Sequence, residues 1–549
     1  MQDQNQATSQ EPSSIPQAAP AMTPENQPQP AVNEPAPSPN TSRKKKILII
    51  VSILILLSGI AATVLVLLKK DNEVPASAVT KKDISVLTLE YNESSVPQYP
   101  LKMGGYGADS NLILQLFEGL VQFQNTTDIK PLLATSWYNP DSSTWVFNLK
   151  QGVKFHTGRE MTSDDVKKTL DYAIAHQNDS KVSFFAAAST LKSVEAIGRY
   201  KVKITTTAPD ALLLARLSVL PIFDPNAKLG DYNSGTGPYI LKPGTVPTDD
   251  SIDLAAYNGY WGGHVYTREL DIKFVGDENA LLKNIDDNKF DLSGSWVQNE
   301  LSHFKVPYSK IKIADPGVNF LMLNTQRKGS PLQSLAARQA LEYAINKPQL
   351  IKDNGLDGTP TNQLVPQSLP GHNPDIDTLP YNLDKAKSLL KSVSGASDQL
   401  TLATTDDTGS GDNLAKQLDA AGFNIKVVVV SDFNEFVDNA FGGNYDLSYI
   451  NYTSNFSDGL DILNIALTGT KNYDNPQIDS LLDQTAKTFE AQQRIKLMQQ
   501  ITAIADKEKP IIPLFTHIRV YAVTKPNIVA KPDMQSFSSS LYFWKVYRK

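Results

Sequence analysis

The hydrophobic pattern along the chain is clearest between residues 131 and 173. Trp145, Phe147 and Leu149 stand at every second position, and this period of two predicts a half-buried strand. A helix is predicted next, because Thr162 and Asp165 are spaced as in a capping box and apolar residues then recur at helical spacing. Taken singly, these residues are typical of scaffold and carry no chemistry.

The second half of the chain has the pattern of α/β units. Residues 400–403, a helix that ends at Gly422, and residues 425–430 predict a βαβ unit. Because residues 427–430 are continuously apolar, we expect the second of these strands to be covered on both faces. Two helices are predicted between residues 476 and 507, and two strands at residues 511–515 and 518–523.

The front of the chain differs from the rest. Residues 1–42 are rich in Pro, Gln, Ser, Ala and Asn, which predicts a disordered tail. Residues 43–46 are basic and precede an uncharged apolar run at residues 47–68, long enough to span a bilayer. We expect residues 43–70 to form a basic flank and an uncleaved signal anchor with its N-terminus in the cytoplasm, followed by a linker at residues 71–83. Cleavage after Ala78 is the alternative.

The net charge and the residue content exclude several classes of functional site. A formal net charge of -6 gives no indication of nucleic-acid binding, and the absence of cysteine excludes disulfides and thiolate metal sites. The six histidines show no metal-ligand spacing, and no Gly-x-Ser-x-Gly elbow is present. The sequence therefore predicts a protein with no metal, no cofactor and no enzymatic activity.

Several motifs together resemble the family 5 extracellular solute-binding proteins, the oligopeptide-, dipeptide- and nickel-binding receptors of ABC importers. Each motif is weak alone, but their order along the chain is that of the family, over roughly residue 84 to the C-terminus. The motifs are Phe117-Glu-Gly-Leu120, the segment from Trp145 to Gly158, Met161-Thr-x-x-Asp-Val166, Gly235-Thr-Gly-Pro-Tyr239, Asn258-x-x-Trp261, the helix from Arg338 to Ile345, and Asp384 to Leu390.

The resemblance implies an α/β fold: a two-lobed, periplasmic-binding-protein-like clamp of type II, similar to cluster C. Residues 84–295 would form the first lobe, residues 296–515 the second, and residues 516–549 would return to the first. The implied function is a monomeric, membrane-anchored extracytoplasmic receptor that binds a peptide or other small solute between the lobes and delivers it to an ABC permease. An extracytoplasmic hydrolase, or an adhesion or signalling protein that has lost transport, remain the alternatives.

The resemblance also implies ligand-binding residues. In peptide-binding members, a segment of the form Gly-Trp-x-x-Asp pairs with the peptide backbone, and its Asp neutralises the ammonium group of the peptide. Asn455 stands where that Asp is expected, so either Asp458 or Asp461 takes over, or the ligand is not a simple peptide. The residues expected at the cleft are Tyr106, Gly107, Trp296, Asn451, Tyr452, Thr453, Asn455 and Asp458.

Overall fold

A computed structural model describes most of the chain after residue 79. The described residues are 80–91, 108–125, 128–178, 187–228, 230–296, 305–356, 358–376, 379–405, 409–454, 458–530 and 541–549. The tail and the apolar run at residues 47–68 lie outside them. Among the residues that are described, none of the helices has the length and apolar character needed to cross a membrane.

The strands and helices follow one another in a mixed order. The strands are β1 (Leu87–Tyr91), β2 (Val121–Asn125), β3 (Asp128–Pro131), β4 (Ala134–Asp141), β5 (Thr144–Leu149), β6 (Leu191–Ala196), β7 (Lys201–Thr206), β8 (Tyr239–Leu241), β9 (Ser251–Ala256), β10 (Glu269–Phe274), β11 (Leu292–Trp296), β12 (Ser309–Leu323), β13 (Gly358–Pro360), β14 (Gln399–Thr404), β15 (Asn424–Val429), β16 (Leu447–Thr453), β17 (Ile511–Val523), β18 (Ile528–Val529) and β19 (Tyr547–Arg548). The helices are α1 (Ala108–Leu116), α2 (Ser163–Ala175), α3 (Leu213–Val219), α4 (Glu278–Asp286), α5 (Leu335–Ala344), α6 (Lys347–Asp353), α7 (Leu383–Leu390), α8 (Ser410–Ala421), α9 (Phe433–Phe441), α10 (Gly459–Leu467), α11 (Pro476–Lys487) and α12 (Ala491–Glu508).

One large mixed sheet runs through both lobes. Its strand order is β15-β14-β16-β12-β17-β11-β1-β10-β9-β8, and β13 also pairs with β17. The first lobe contains the end of this sheet from β11 to β8, together with the separate four-stranded sheet β4-β5-β7-β6. The second lobe contains β13 to β16 and most of the helices that come after β12 in the chain. The two lobes thus share one continuous sheet.

Two long strands join the lobes. β12 and β17 pair antiparallel from Ser309 opposite Val523 to Met322 opposite Ile511. In the first lobe, the last half of β17 pairs with β11 on one side and with the first half of β12 on the other. In the second lobe, the last half of β12 pairs with β16 and the first half of β17 pairs with β13. The sequence predicted two strands, at residues 511–515 and 518–523. This prediction is wrong in one respect, because the structure has the single strand β17 there.

The joining strands change register in the middle. The pairing of β12 with β17 shifts between Ala314 and Val318, around Pro316 and Gly317. Proline lacks the N–H that a sheet ladder requires, and a bulge locally bends and twists a strand. The carbonyl of Pro316 instead accepts a bond from the backbone N–H of Ser454 at 3.1 Å. The irregularity lies where the two strands pass from the first lobe into the second, and we refer to it as the Pro316–Gly317 hinge.

The local predictions for the first lobe are confirmed. β5 and α2 form where the pattern placed them, and the capping box of Thr162 and Asp165 is present, with the backbone N–H of Thr162 donating to the Asp165 carboxylate at 2.8 Å. Arg159 also binds that carboxylate with two nitrogens, at 2.8 and 3.0 Å. The apolar core of this lobe includes residues after β17, among them Leu541 and Phe543, which are fully buried.

The βαβ unit of the second lobe is also confirmed, since β14 and β15 pair in parallel and are connected by α8. The expectation that residues 427–430 are covered on both faces is wrong. β15 is the edge strand of the large sheet, and Val429 is 47% exposed. Continuous apolar residues can therefore occur on an edge strand that is only half covered.

Candidate functional site: a cavity at the hinge

Threonines of three strands lie at registers next to the Pro316–Gly317 hinge. Thr453 of β16 is opposite Gly317, Thr516 of β17 is opposite Val318, and Thr359 of β13 is opposite Thr516. Thr359, Thr516 and Val318 therefore form one row across neighbouring strands on one face of the sheet, where it passes from one lobe to the other. Thr453 is in register with Gly317 and so belongs to the opposite face. Hydroxyl groups at such a place can donate to a solute and accept from it.

A cavity of about 340 Å³ lies next to this row. Lys312 and Ile518 come from the halves of β12 and β17 that belong to the first lobe, and the remaining wall comes from the second lobe. The lining residues are Lys312, Thr359, Pro360, Thr361, Pro366, Gln367, Ser368, His372, Thr516 and Ile518. A rotation about the hinge would move parts of this wall relative to each other.

The structure places three of the predicted ligand residues at the end of β16. Asn451 is exposed, whereas Tyr452 and Thr453 are half-buried. The hydroxyl of Tyr452 donates to the Asp461 carboxylate at 3.0 Å, and the hydroxyl of Ser454 donates to the same oxygen at 3.1 Å. Asp461 is thus connected to the predicted binding segment through two hydroxyl groups.

Asp458 is already neutralised by a protein cation. Its side chain is 4% exposed and forms an ion pair of 2.7 Å with Arg494 of α12. It is also the N-cap of α10, where it accepts a bond from the backbone N–H of Leu460 at 2.9 Å. Contact between this carboxylate and a solute ammonium would have to compete with Arg494.

The remaining predicted ligand residues are described only in part or not at all. Tyr106, Gly107 and Asn455 lie outside the described residues. Trp296 ends β11 opposite Val520 of β17, which places its backbone on the hinge side of the first lobe. The assignment of all these residues to the cleft stays a prediction.

A second cavity, of about 210 Å³, lies within the first lobe and is bordered by Glu118. Burial raises the pKa of Glu118 to about 7, although three hydrogen bonds and the charge of Lys150 oppose the shift. The carboxylate accepts from the Thr236 hydroxyl and the Trp261 indole at 2.8 Å each, and from the Tyr260 hydroxyl at 3.2 Å. Thr236 belongs to the motif from Gly235 to Tyr239, and Tyr260 and Trp261 belong to the motif from Asn258 to Trp261. Glu118, itself part of the motif from Phe117 to Leu120, therefore connects three motifs structurally.

Close packing against the end of α1 explains the two glycines of the motif from Gly235 to Tyr239. A Cβ atom at Gly235 would lie 2.0 Å from the carbonyl oxygen of Leu116, and one at Gly237 would lie 2.6 Å from that of Gln115. The segment from Gly235 to Tyr239 can therefore pack against the end of α1 only without side chains at these positions.

Sequence reasoning missed His372, the histidine of the hinge cavity. The six histidines are scattered along the chain, and nothing in their spacing singles out this one. The proline- and glycine-rich composition of residues 360–374 indicates a loop, which was the one available signal.

This architecture, two α/β lobes joined by two continuous strands beside a cavity, is that of a hinged two-lobed binding protein. The family model of bacterial extracellular solute-binding proteins, family 5 middle, matches residues 128–474. The chain therefore belongs to family 5 of the bacterial extracellular solute-binding proteins, as its motifs predicted.

Curated relatives and solved structures agree with this family. The chain is 26% identical over 527 residues to heme-binding protein A of Haemophilus influenzae, covering 85% of this chain and 95% of that protein. It is 30% identical over 350 residues to the dipeptide-binding protein of Escherichia coli K12, covering 58% of this chain and 64% of that protein. The solved structure of HbpA2 from Haemophilus parasuis has a TM-score of 0.72 at 22% identity, covering 85% of this chain and all of that one.

Proposed function

We propose that this chain is the solute-binding receptor of an ABC importer, and that it takes a peptide or peptide-like solute into the hinge cavity. The observation that carries the proposal is the mixed origin of the cavity wall, which combines residues of both lobes on the two joining strands. A solute that contacts both parts favours the closed arrangement by its differential affinity. The permease would then recognise the closed form.

The class of solute follows from the cavity and the relatives. Hydroxyl, amide and imidazole groups line the cavity, and these groups suit the N–H and C=O groups of a peptide. One relative is named for dipeptides and another for heme, so metal-containing solutes are the second candidate. If the solute has a free ammonium group, Asp458 and Asp461 are the two carboxylates that we propose for it, and Asp458 would have to exchange Arg494 for the solute.

The proposed receptor is anchored by residues 47–68, with its N-terminus in the cytoplasm and residues 84–549 outside. An anchor of this kind keeps the receptor at a high effective concentration near its permease. N-terminal sequencing of protein extracted from membranes tests this part. A chain that begins at Val79 would show that the segment is a cleaved signal peptide.

Ligand-induced stabilisation of the purified full-length protein tests the binding function. A solute at 100 times its Kd should add about 2.7 kcal/mol of stability, which raises the Tm by a few degrees. Di-, tri- and tetrapeptides should be compared with a nickel–histidine complex and with heme, and each solute should be analysed afterwards for cleavage. Turnover of a peptide would favour the hydrolase alternative, and no stabilisation by any solute would favour an adhesion or signalling role.

A further inference from the structure

The loop of residues 361–373, here called the 361–373 loop, forms a large part of the hinge cavity wall. Its two ends are joined by a pair of reciprocal hydrogen bonds. The backbone N–H of Asn373 donates to Gln363 Oε1, and Gln363 Nε2 donates to the carbonyl of Asn373, both at 2.8 Å. Both residues are buried. A compact loop with joined ends is ordered before any solute arrives, which reduces the entropy cost of binding.

Two helices, α6 and α12, form hydrogen bonds with the 361–373 loop. Buried Lys347 of α6 donates to the carbonyl of Thr361 at 2.8 Å and to the side-chain oxygen of Asn362. Gln499 of α12 donates through Nε2 to the carbonyl of His372 at 2.9 Å. These contacts fix the backbone of the loop at Thr361 and at His372, near its two ends.

The same loop fixes the tautomer of His372. Its Nδ1 lies 3.0 Å from the carbonyl oxygen of Val365. A carbonyl oxygen can only accept, so Nδ1 carries the proton, and in the neutral ring Nε2 is an acceptor. Among the described residues, Nε2 has no hydrogen-bond partner, and His372 is one of the residues that line the cavity. The chain thus presents a fixed acceptor to whatever occupies the cavity.

We propose that His372 is a specificity-determining residue of the hinge cavity, and that its Nε2 accepts a hydrogen bond from an N–H or O–H group of the solute. The proposal rests on the proposed function, because it names the group that this cavity selects. A solute with a donor at this position is favoured over one with a carbonyl or carboxylate there, because two acceptors facing each other leave both unsatisfied. The joined ends of the 361–373 loop make Gln363 and Asn373 its positioning residues.

Chemical modification tests the exposed acceptor without any solute. Diethyl pyrocarbonate reacts with unprotonated imidazole nitrogens, and mass spectrometry of a digest gives the rate at each histidine. His156 is the internal control, because its Nε2 is 3.0 Å from the carbonyl of Gly237 and its Nδ1 is buried. In the free protein, His372 should react at least ten times faster than His156. Equal rates would overturn the proposal.

Two variants test selectivity, with a tryptic digest of casein as the probe. His372→Leu removes the acceptor, whereas His372→Gln keeps an oxygen acceptor of similar reach. After gel filtration, His372→Leu should retain peptides roughly 10- to 100-fold more weakly than the native chain, and His372→Gln within about threefold. Unchanged retention by His372→Leu would contradict the proposal. A native chain that retains no peptide, although His372 reacts rapidly, would refute the proposed peptide-binding function but not the presence of an exposed acceptor at His372. The failure of the proposed function can therefore be distinguished from the failure of the inference about His372.

Discussion

The buried carboxylate of Glu118 makes the stability of the protein depend on pH. Burial raises its pKa from 4.5 to about 7 in the folded protein, whereas the unfolded chain keeps an ordinary value. A carboxyl group whose pKa is higher in the folded state than in the unfolded state contributes its full stabilisation at pH values below the unfolded-state pKa. This contribution is lost as the pH rises through the folded-state pKa. The difference of about 2.5 units corresponds to about 3 kcal/mol lost between roughly pH 4.5 and pH 8.

Glu118→Gln removes this titration and retains a side chain of the same size. Urea unfolding of both proteins should be measured at intervals from pH 4.5 to pH 8. We expect the native protein to lose about 3 kcal/mol more stability over that range than Glu118→Gln, because only the native chain ionises a carboxylate beside Thr236, Tyr260 and Trp261. Other titrating groups are common to both proteins and cancel in the comparison. Parallel stability curves would refute the reasoning.

Three further predictions concern particular residues. Arg494→Met should destabilise the fold by about 3–5 kcal/mol, because it leaves Asp458 buried without a partner, and Arg494→Met with Asp458→Asn should recover much of that loss in denaturant unfolding. Gly235→Ala should cost more stability than Gly152→Ala by thermal unfolding. A Cβ at residue 235 meets a carbonyl oxygen at 2.0 Å, whereas one at residue 152 meets nothing within 4 Å and is opposed only by the positive φ of 76°, which costs about 1 kcal/mol. Equal Tm values would contradict this. Asn455→Asp should bind free-amine peptides roughly 10- to 100-fold more tightly than N-acetylated ones by calorimetry, and the native chain should discriminate much less; a strong preference in the native chain would place the ammonium at another carboxylate.

The sequence predicted those features that depend on neighbours along the chain. The capping box of Thr162 and Asp165 is a local signal, and the helix begins where it predicts. The parallel pairing of β14 with β15 followed from spacing. The exposure of Val429 did not, because it depends on which strands lie at the edge of the completed sheet.

The site was only partly predictable for the same reason. The β16 segment was found by its resemblance to a family motif, and the structure places it beside the hinge. His372 could not be found, because its orientation depends on Val365 and on Gln499, which lies 127 residues away in the chain. The role of Asp458 was open because its partner, Arg494, belongs to a later helix.

Native mass spectrometry of the full-length protein tests the central claim most directly. The native chain and a Thr516→Trp variant, which fills the hinge cavity from the middle of β17, should be purified in parallel and sprayed under non-denaturing conditions. We predict a small solute bound to the native chain, absent from the variant, and released as an intact molecule on unfolding. A solute carried equally by both proteins would contradict the claim, because binding would then take place away from the hinge cavity.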